Sequence, residues 1–424
     1  MTVAVIAFVA LIILRVPIGF TMLGASAAYF ALNPMMASIL AQRMGSSMES
    51  FPLLAIPLFV VAGCAMARGG IAEKLYGFAE SLVGHWKGGL AQVAVLNSVF
   101  MGAMSGSANA DAAIDARTIV PVMRQRGYSN AYGSVVSAAS SIIAPIMPPS
   151  IALIVYGLLT NTSIGRLFMG GVVPAIIIGI ALMLMVRWTA GRRNYAPSRS
   201  TRASLGEIGR NGWAALWALA MPVMLLFGLR IGLFTPTELG AIAALYAFLV
   251  GVFVYRGIGW GDVYGLLRES AHTTASVMFI VAAAAVFSLI LSLEQVPQML
   301  VSGLLGISDN KYVVMLVINI ALLLLGTVFE GLALVVILGP LLIEVATELG
   351  IDPVHLGVVL VFNTAIGSMT PPVGTVMFTV CTITRCSIEE FTREFLPYLA
   401  VLVSVLLLLT FVPPLVTFLP DLVF

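Results

Sequence analysis

The sequence predicts an all-α polytopic membrane protein built from two related halves, and three observations carry that prediction. Of 424 residues, 60% are hydrophobic and only 9% are charged, against about 25% charged in an average soluble domain. A soluble fold needs a polar exterior and cannot cover that much apolar surface, so soluble enzymes, disordered tails and nucleic-acid binders are excluded. The apolar runs are also long and continuous. They approach the roughly 20 residues that a helix needs to cross a bilayer, unlike the alternating segments of about 10 residues in a membrane barrel. Finally, a proline-centred pattern recurs at a spacing of 223 residues. The net charge of +2 is too small to imply an anionic partner.

Apolar runs fall at 2–32, 51–67, 91–104, 110–123, 130–159, 167–188, 213–231, 237–255, 271–293, 312–328, 332–346, 353–383 and 395–419. The first has no basic n-region and no small-residue cleavage site, so it reads as a retained membrane segment. It is one helix or two, with a break at Arg15-Val16-Pro17, and the N-terminal orientation depends on which. Runs 91–104 and 110–123 are too short to span comfortably and flank Ser105-Gly106-Ser107-Ala108-Asn109. Runs 312–328 and 332–346 flank Phe329-Glu330-Gly331 in the same way. Each pair reads either as a re-entrant hairpin (about 91–123 and 312–346) or as two ordinary helices with a short loop.

Pro148-Pro149 and Pro371-Pro372 lie 223 residues apart, as do Pro174 and Pro397. Each double proline is followed by an apolar stretch, a polar patch (Thr160-Asn161-Thr162-Ser163 or Thr382-Ile383-Thr384-Arg385), then Phe168 or Phe391 and the late proline. The halves are therefore 1–188 and 213–424, with broken helices at about 130–159 and 353–383. An Arg-rich linker at 189–212 joins them, and by the positive-inside rule it faces the cytoplasm. Arg124 and Arg126 follow the first hairpin, whereas Glu344, Glu348 and Asp352 close the second. Charge therefore opens the hairpins to opposite faces, which is an inverted repeat, and it places the C-terminus near Asp421 outside.

Matched interruptions in two halves are the sequence sign of a transporter site. Proline has no amide donor and breaks its helix. In lipid the freed carbonyls must face protein, water or a cation. Ala144, Pro145, Met147 and Ser150 around the first break, and Asn363, Gly367, Met369, Thr370 and Gly374 around the second, are candidate cation ligands. Ser105, Gly106, Ser107 and Asn109 at the first tip, and Phe329, Glu330 and Gly331 at the second, join them. These neutral oxygens suit sodium, and two or more sodium ions are expected; the plain alternative for each break is a structural proline kink. Ser105, Ser107, Asn109, Ser150 and Thr375 are the candidate substrate contacts, because helix N-termini at the tips attract a carboxylate.

Asp111 and Asp115 share a helix face. Asp111 either orients the first tip or is a helix-start acid. Glu330 either faces a cation or caps a helix, Arg15 lies at an interface or contacts a partner subunit, and Glu294 reads as interfacial. His85, His272 and His355 stand alone, and Cys64, Cys381 and Cys386 read as packing residues. No ATP phosphate loop occurs. The enzyme alternative is an intramembrane serine protease using Ser105 in Ala103-Met104-Ser105-Gly106, disfavoured because Ala103 replaces the motif's glycine and nothing positions a base.

These residues resemble the large membrane subunit of the tripartite ATP-independent periplasmic (TRAP) transporters. The resemblance is carried by Phe51-Pro52-Leu53-Leu54-Ala55-Ile56-Pro57-Leu58-Phe59, Ala62-Gly63, Gly69-Gly70-Ile71, Val83-Gly84-His85 and Gly88-Gly89-Leu90. Ser105-Gly106-Ser107 with Ala110-Asp111, Pro148-Pro149-Ser150-Ile151, Leu233-Phe234-Thr235-Pro236-Thr237-Glu238 and Thr370-Pro371-Pro372-Val373-Gly374 extend it nearly end to end. Met147 stands for an isoleucine and Glu330 for an aspartate, which leaves the role of Glu330 open. The resemblance implies an ion-transporter-superfamily fold, an elevator with scaffold and transport parts, and a sodium-driven symporter. It also implies a bacterial inner-membrane location, a separate small four-helix membrane subunit, a periplasmic substrate-binding protein, and a small organic acid as substrate: a dicarboxylate, keto acid, sugar acid or sialic acid.

Overall fold

The computed structural model describes residues 2–14, 16–32, 37–232 and 234–424; Arg15 lies outside the described residues. These form helices throughout, with no strand among them. The first apolar run is two helices, α1 (Thr2–Ile13) and α2 (Ile18–Ala31), packed on each other. Then come α3 (Ala37–Met48), α4 (Ala55–Arg68), which a short 3-10 turn at Phe51–Leu54 precedes, and α5 (Ile71–Val83). Sequence runs did not anticipate α3 or α5. Both are amphipathic: α5 buries Ile71, Leu75, Ala79 and Val83 at fourfold spacing and leaves Glu73 and Lys74 exposed, so its apolar residues never form a run.

The first tip joins α6 (Gly89–Ser105) to α7 (Ala108–Gln125), and the first broken segment is α8 (Asn130–Ser141) followed by α9 (Ile151–Thr160). α10 (Ile164–Arg192) and α11 (Leu205–Ile231) flank the Arg-rich segment. The non-helical part is therefore 193–204, shorter than the polar composition suggests, because Arg192 continues the helix and stacks over Trp188 at 4.0 Å. That segment is tied down: the Ser198 amide donates to the Gly84 carbonyl (2.9 Å), and the Tyr128 hydroxyl donates to that of Ala196 (2.9 Å).

The second half contains α12 (Pro236–Leu249), extended by a π turn to Val254, then α13 (Asp262–Leu293) and α14 (Val296–Leu305). Its tip joins α15 (Lys311–Gly326) to α16 (Gly331–Glu348), and its broken segment is α17 (Pro353–Gly367) and α18 (Thr375–Thr384). α19 (Ile388–Phe411) and α20 (Pro414–Val423) complete the chain. Local structure follows the sequence spacing. α7 and α16 have 18 residues each, and α9 and α18 have 10 each. α9 and α18 both end on a left-handed residue, Asn161 (φ 54°) and Arg385 (φ 56°). Ser163 and Ser387 then cap α10 and α19. Pro174 and Pro397 sit within those two helices without ending them.

Seven described helical stretches are long and apolar enough to cross a membrane: Phe51–Arg68, Ile164–Arg192, Leu205–Ile231, Pro236–Val254, Asp262–Leu293, Gly331–Glu348 and Ile388–Phe411. Large apolar side chains face outward on α11 (Trp213, Trp217, Val223, Phe227) and α12 (Leu245, Leu249, Phe253). A hydrocarbon surround accepts these faces, where water would not. The inside is the reverse of a soluble core. α8 is buried from Tyr132 to Ser141 and α17 from Val354 to Gly367, and both carry polar groups there: Ser134, Ser137, Ser140, Ser141, Asn363 and Thr364. The halves interlock around these helices, with α18 packed on α7, α16 on α9, and α10 on α19.

Candidate functional site

Each tip is pressed against the break of its own half, and glycine makes the approach possible. Gly106 follows α6 in the left-handed region (φ 58°). A Cβ there would sit 2.7 Å from the Pro149 carbonyl, and one on Gly102 would sit 2.9 Å from the Ala144 Cα. In the second half, a Cβ on Gly367 would lie 2.6 Å from the Gly326 Cα, and one on Gly331 would lie 3.3 Å from the Thr364 carbonyl. Predicted ligands far apart in sequence therefore meet in two groups: Ser105–Asn109 with Ala144–Ser150, and Phe329–Gly331 with Asn363–Gly374.

Inside the breaks, hydrogen bonding is partial. The Pro148–Pro149 and Pro371–Pro372 peptide bonds are both cis. The Ser150 hydroxyl donates to the Pro145 carbonyl and accepts from the Leu153 amide (3.2 Å), so this buried side chain spans the first break instead of facing open space. Across the second break, the Val376 amide donates to the Ser368 carbonyl (2.9 Å), the Thr370 amide to that of Gly367 (2.9 Å), and the Val373 amide to Thr327 on the facing tip (3.0 Å). The carbonyls of Ala144, Met147 and Met369 accept no hydrogen bond among the described residues. The Asn363 side-chain amide donates to the Asn319 carbonyl (3.0 Å) and Oδ1 (2.9 Å), and Asn319 in turn donates to Thr410 Oγ1 (2.8 Å). The Asn363 Oδ1 itself is buried and unpartnered. Unpaired neutral oxygens at a break, with no carboxylate supplied by the break itself, are a donor set for a monovalent hard cation.

A cavity of about 330 Å³ lies between the two groups. Four helices present their N-termini to it: α7 through Gly106–Asn109, α9 through Ile151 and Ala152, α16 through Glu330–Leu332, and α18 through Thr375 and Val376. The Ser107 hydroxyl caps α7 by accepting from the Ala110 amide (3.4 Å). Asn109 Oδ1 and Thr375 Oγ1, both at the wall, have no protein partner. Among the described residues, no lysine or arginine lines this cavity. Helix N-termini carry partial positive charge and free amides, so their convergence favours an anion. Of the predicted substrate contacts, Ser107, Asn109 and Thr375 line the cavity, whereas Ser105 and Ser150 stand behind the wall.

Glu330 occupies the N-cap position of α16, but its side chain makes no capping hydrogen bond. It faces the cavity and also a second, largely apolar one of about 1000 Å³, and the two share Ser276, Ile280 and Glu330. Asp111 and Asp115 are both fully buried on one face of α7. Asp115 accepts from Asn97 (3.3 Å) and Ser98 (3.2 Å), and neither Asp111 oxygen has a hydrogen-bond partner among the described residues. Glu294 follows α13 and accepts from the Tyr29 hydroxyl at 2.7 Å. Sequence reading missed the whole α13 wall of the cavity, which includes His272, Thr273 and Ser276. A polar stretch inside an otherwise apolar run was the available signal.

The profile of the family described as "Tripartite ATP-independent periplasmic transporter, DctM component" matches residues 5–415. The chain is 38% identical over 99% of its length to the sialic acid TRAP transporter large permease protein SiaM of Vibrio cholerae, spanning 98% of that protein. It is 38% identical over 96% of its length to the 2,3-diketo-L-gulonate TRAP transporter large permease protein YiaN of Escherichia coli, spanning 95% of it. It is 37% identical over 96% of its length to the isethionate TRAP transporter permease protein DctMQ of Oleidesulfovibrio alaskensis, and spans 64% of that longer chain. Among solved structures, the YdaH transporter of Alcanivorax borkumensis shares the fold, with a TM-score of 0.63 at 17% identity, over 89% of this chain and 88% of that one.

Proposed function

From the premise that this chain belongs to the DctM component family of the tripartite ATP-independent periplasmic transporters, we propose that it is a sodium-driven permease subunit importing a small organic acid. The relatives named above are permeases for sialic acid, 2,3-diketo-L-gulonate and isethionate, and an acid is what the cavity suits. The observation that carries the reading is the meeting of four helix N-termini at one cavity that no lysine or arginine lines among the described residues. A helix end contributes about 0.3–2 kcal/mol toward an anion. Sodium, at the unpaired oxygens of the two breaks, supplies the remaining positive charge and fixes each tip against its break.

The reading extends to the rest of the assembly. The acid arrives from a periplasmic binding protein, and a small four-helix membrane subunit completes the complex in the bacterial inner membrane. The halves are inverted repeats: segment 193–204 faces the cytoplasm and the C-terminal end faces the periplasm. Transport is by an elevator in which the tips and broken helices move against α1–α5 and α11–α14. Among α1–α5 and α11–α14, α13 rests on α2, α3 and α4, and α12 rests on α4, while the packing of α5 on α6 and of α14 and α13 on α16 forms the surfaces along which the parts would slide. The protease alternative has no support in the geometry, because no hydrogen bond joins Ser105 to a histidine among the described residues.

The test is uptake into proteoliposomes holding this chain, its small subunit and its binding protein. Uptake of the acid that the binding protein carries should require an inward sodium gradient and persist without ATP. Equal uptake in sodium and in choline would refute the reading.

A further inference from the structure

Four helix N-termini account for one acid group, but the wall facing them does not belong to either tip or break. It is α13, where His272, Thr273 and Ser276 line the cavity together with Val277 and Ile280. These polar side chains lie near the middle of a 32-residue helix whose remainder, from Val277 to Leu293, has no charged residue. His272 lies where that apolar stretch begins, one turn past Arg268 and Glu269, and an ionisable side chain of a membrane helix turned into an internal cavity marks a functional position. Neighbouring polar groups on α13 already have other positions: Glu269 pairs with Arg68 at 2.6 Å, and Ser270 is buried. The His272 ring has no hydrogen-bond or ion-pair partner among the described residues, and it is exposed to the cavity. Ser276 donates to the His272 carbonyl (3.0 Å), which leaves its lone pairs facing the open space.

We propose that His272, with Thr273 and Ser276, is the specificity wall of the cavity. It reads a second oxygen-bearing group on the substrate, a further acid, keto or hydroxyl group, while the helix N-termini hold the acid group common to all substrates. This deepens the organic-acid reading and rests on it. Among the described residues Glu330 is the other ionisable side chain of this cavity, and it sits where the cavity joins the second one. Asn109 brings a side-chain amide from the first tip, and His272 is the side chain of the α13 wall that can offer a nitrogen-bound proton to a distal anionic or carbonyl oxygen.

The wall has a consequence for elevator movement. α13 packs on α2, α3 and α4, whereas the anion-binding ends belong to the tips and broken helices. His272 therefore meets the distal group only when the two parts are aligned as they are here.

The experiment uses the purified chain in lipid nanodiscs with sodium present. Dissociation constants are measured for succinate, gluconate and N-acetylneuraminate, and for propionate, which carries a single acid group and no further acceptor. The wild-type chain should bind at least one of the first three more tightly than propionate. His272→Leu should weaken that acid by about threefold to tenfold, the equivalent of one hydrogen bond, and leave propionate unchanged. His272→Gln, which keeps an N–H donor, should retain most of the affinity. Sodium-induced thermal stabilisation should be unaltered, which reports an intact fold; should His272→Leu not fold, Thr273→Val and Ser276→Ala make the same comparison. Equal weakening of propionate and the other acids, or no weakening of any, overturns the specificity wall. A wild-type chain that binds none of the four in sodium refutes the acid-binding reading itself, a separate result.

Discussion

Replacing Gly367 with alanine should damage sodium coupling, while the same replacement at Gly77 should not. A Cβ on Gly367 would lie 2.6 Å from the Gly326 Cα, 2.7 Å from its carbonyl carbon and 3.0 Å from its carbonyl oxygen. All three are backbone atoms, so no rotamer change relieves the contact. Restoring an ordinary carbon–carbon separation of about 3.5 Å requires α15 and α17 to part by nearly 1 Å. Overpacking of this kind costs on the order of 1–3 kcal/mol. The parting occurs where the second tip meets the second break, at the expected sodium ligands. If the strain falls mainly on the sodium-bound arrangement, half-saturation by sodium should rise by about 5- to 150-fold. Gly77 is the control: it lies within α5, and nothing stands within 4 Å of an added Cβ. Alanine there should leave sodium dependence alone and stabilise slightly, by roughly 0.5–1 kcal/mol, through helix propensity. The assay is thermal unfolding of the purified chain across a sodium titration, followed by uptake in proteoliposomes. A Gly367→Ala chain with wild-type melting temperature and wild-type sodium half-saturation would refute the close-approach argument.

Other variants probe the remaining parts. Asn363→Ala removes a buried oxygen that has no protein partner and also strips the Asn319 carbonyl of its donor. It should destabilise by about 1–3 kcal/mol and weaken sodium-induced stabilisation in a melting titration. Thr375→Val removes a hydroxyl that has no partner in the protein. The sodium-bound chain should keep its melting temperature and lose acid affinity, and a large drop in melting temperature would instead assign the hydroxyl to folding. Ser107→Ala deletes the cap of α7 and should cost roughly 0.5–2 kcal/mol, with hydrogen exchange rising at Ala108–Asp111 more than elsewhere. Tyr128→Phe loses the hydrogen bond to Ala196 and should cost about 0.5–1.5 kcal/mol, with proteolysis between 193 and 204 accelerated and sodium dependence unchanged.

What could be read in the sequence was whatever is local. Prolines end the broken helices within one turn, through a missing amide donor: α17 stops at Gly367, four residues before Pro371, and α8 stops at Ser141, four residues before Pro145 and ahead of the double proline. The apolar arms placed both tips within a few residues. The glycine-rich stretch Val83–Leu90 was recognisable only as a resemblance. Its physical reason is tertiary: the Gly84 carbonyl accepts from Ser198, and the Gly88 amide donates to the Tyr195 carbonyl, so these glycines receive the segment between the halves. The helices α3, α5 and α14 escaped because polar residues and glycines interrupt them, so that their apolar residues form only groups of two or three, such as Ile39–Ala41, Leu82–Val83 and Met299–Val301, and no long run. The triad Asn319–Asn363–Thr410 escaped because it draws on α15, α17 and α19, and no pattern along one helix names its partners. His272 was visible as a lone histidine in an apolar helix. Only the packing of α13 against the tips shows which way that helix faces.

Among the described residues no lysine or arginine lines the cavity wall, and this bears on the proposed coupling. A fixed cation beside four helix N-termini would bind an acid whether or not sodium were present, and sodium would then add little. With partial charges alone, the site is too weak to hold a desolvated carboxylate, and each helix end contributes no more than about 2 kcal/mol. In the proposed sodium-driven permease, a sodium ion at each break would change this in two ways. It would bring a full positive charge close behind the tips, and it would tie each tip to its break through oxygens that otherwise go unpaired. Acid affinity would then depend on sodium occupancy and, by linkage, sodium affinity on the acid to the same degree. In that proposal the orphaned oxygens of Ala144, Met147, Met369 and Asn363 take the place of a basic side chain among the described residues: a permanent charge would give binding without coupling, whereas a charge that must be recruited would make movement of the acid conditional on movement of the ion.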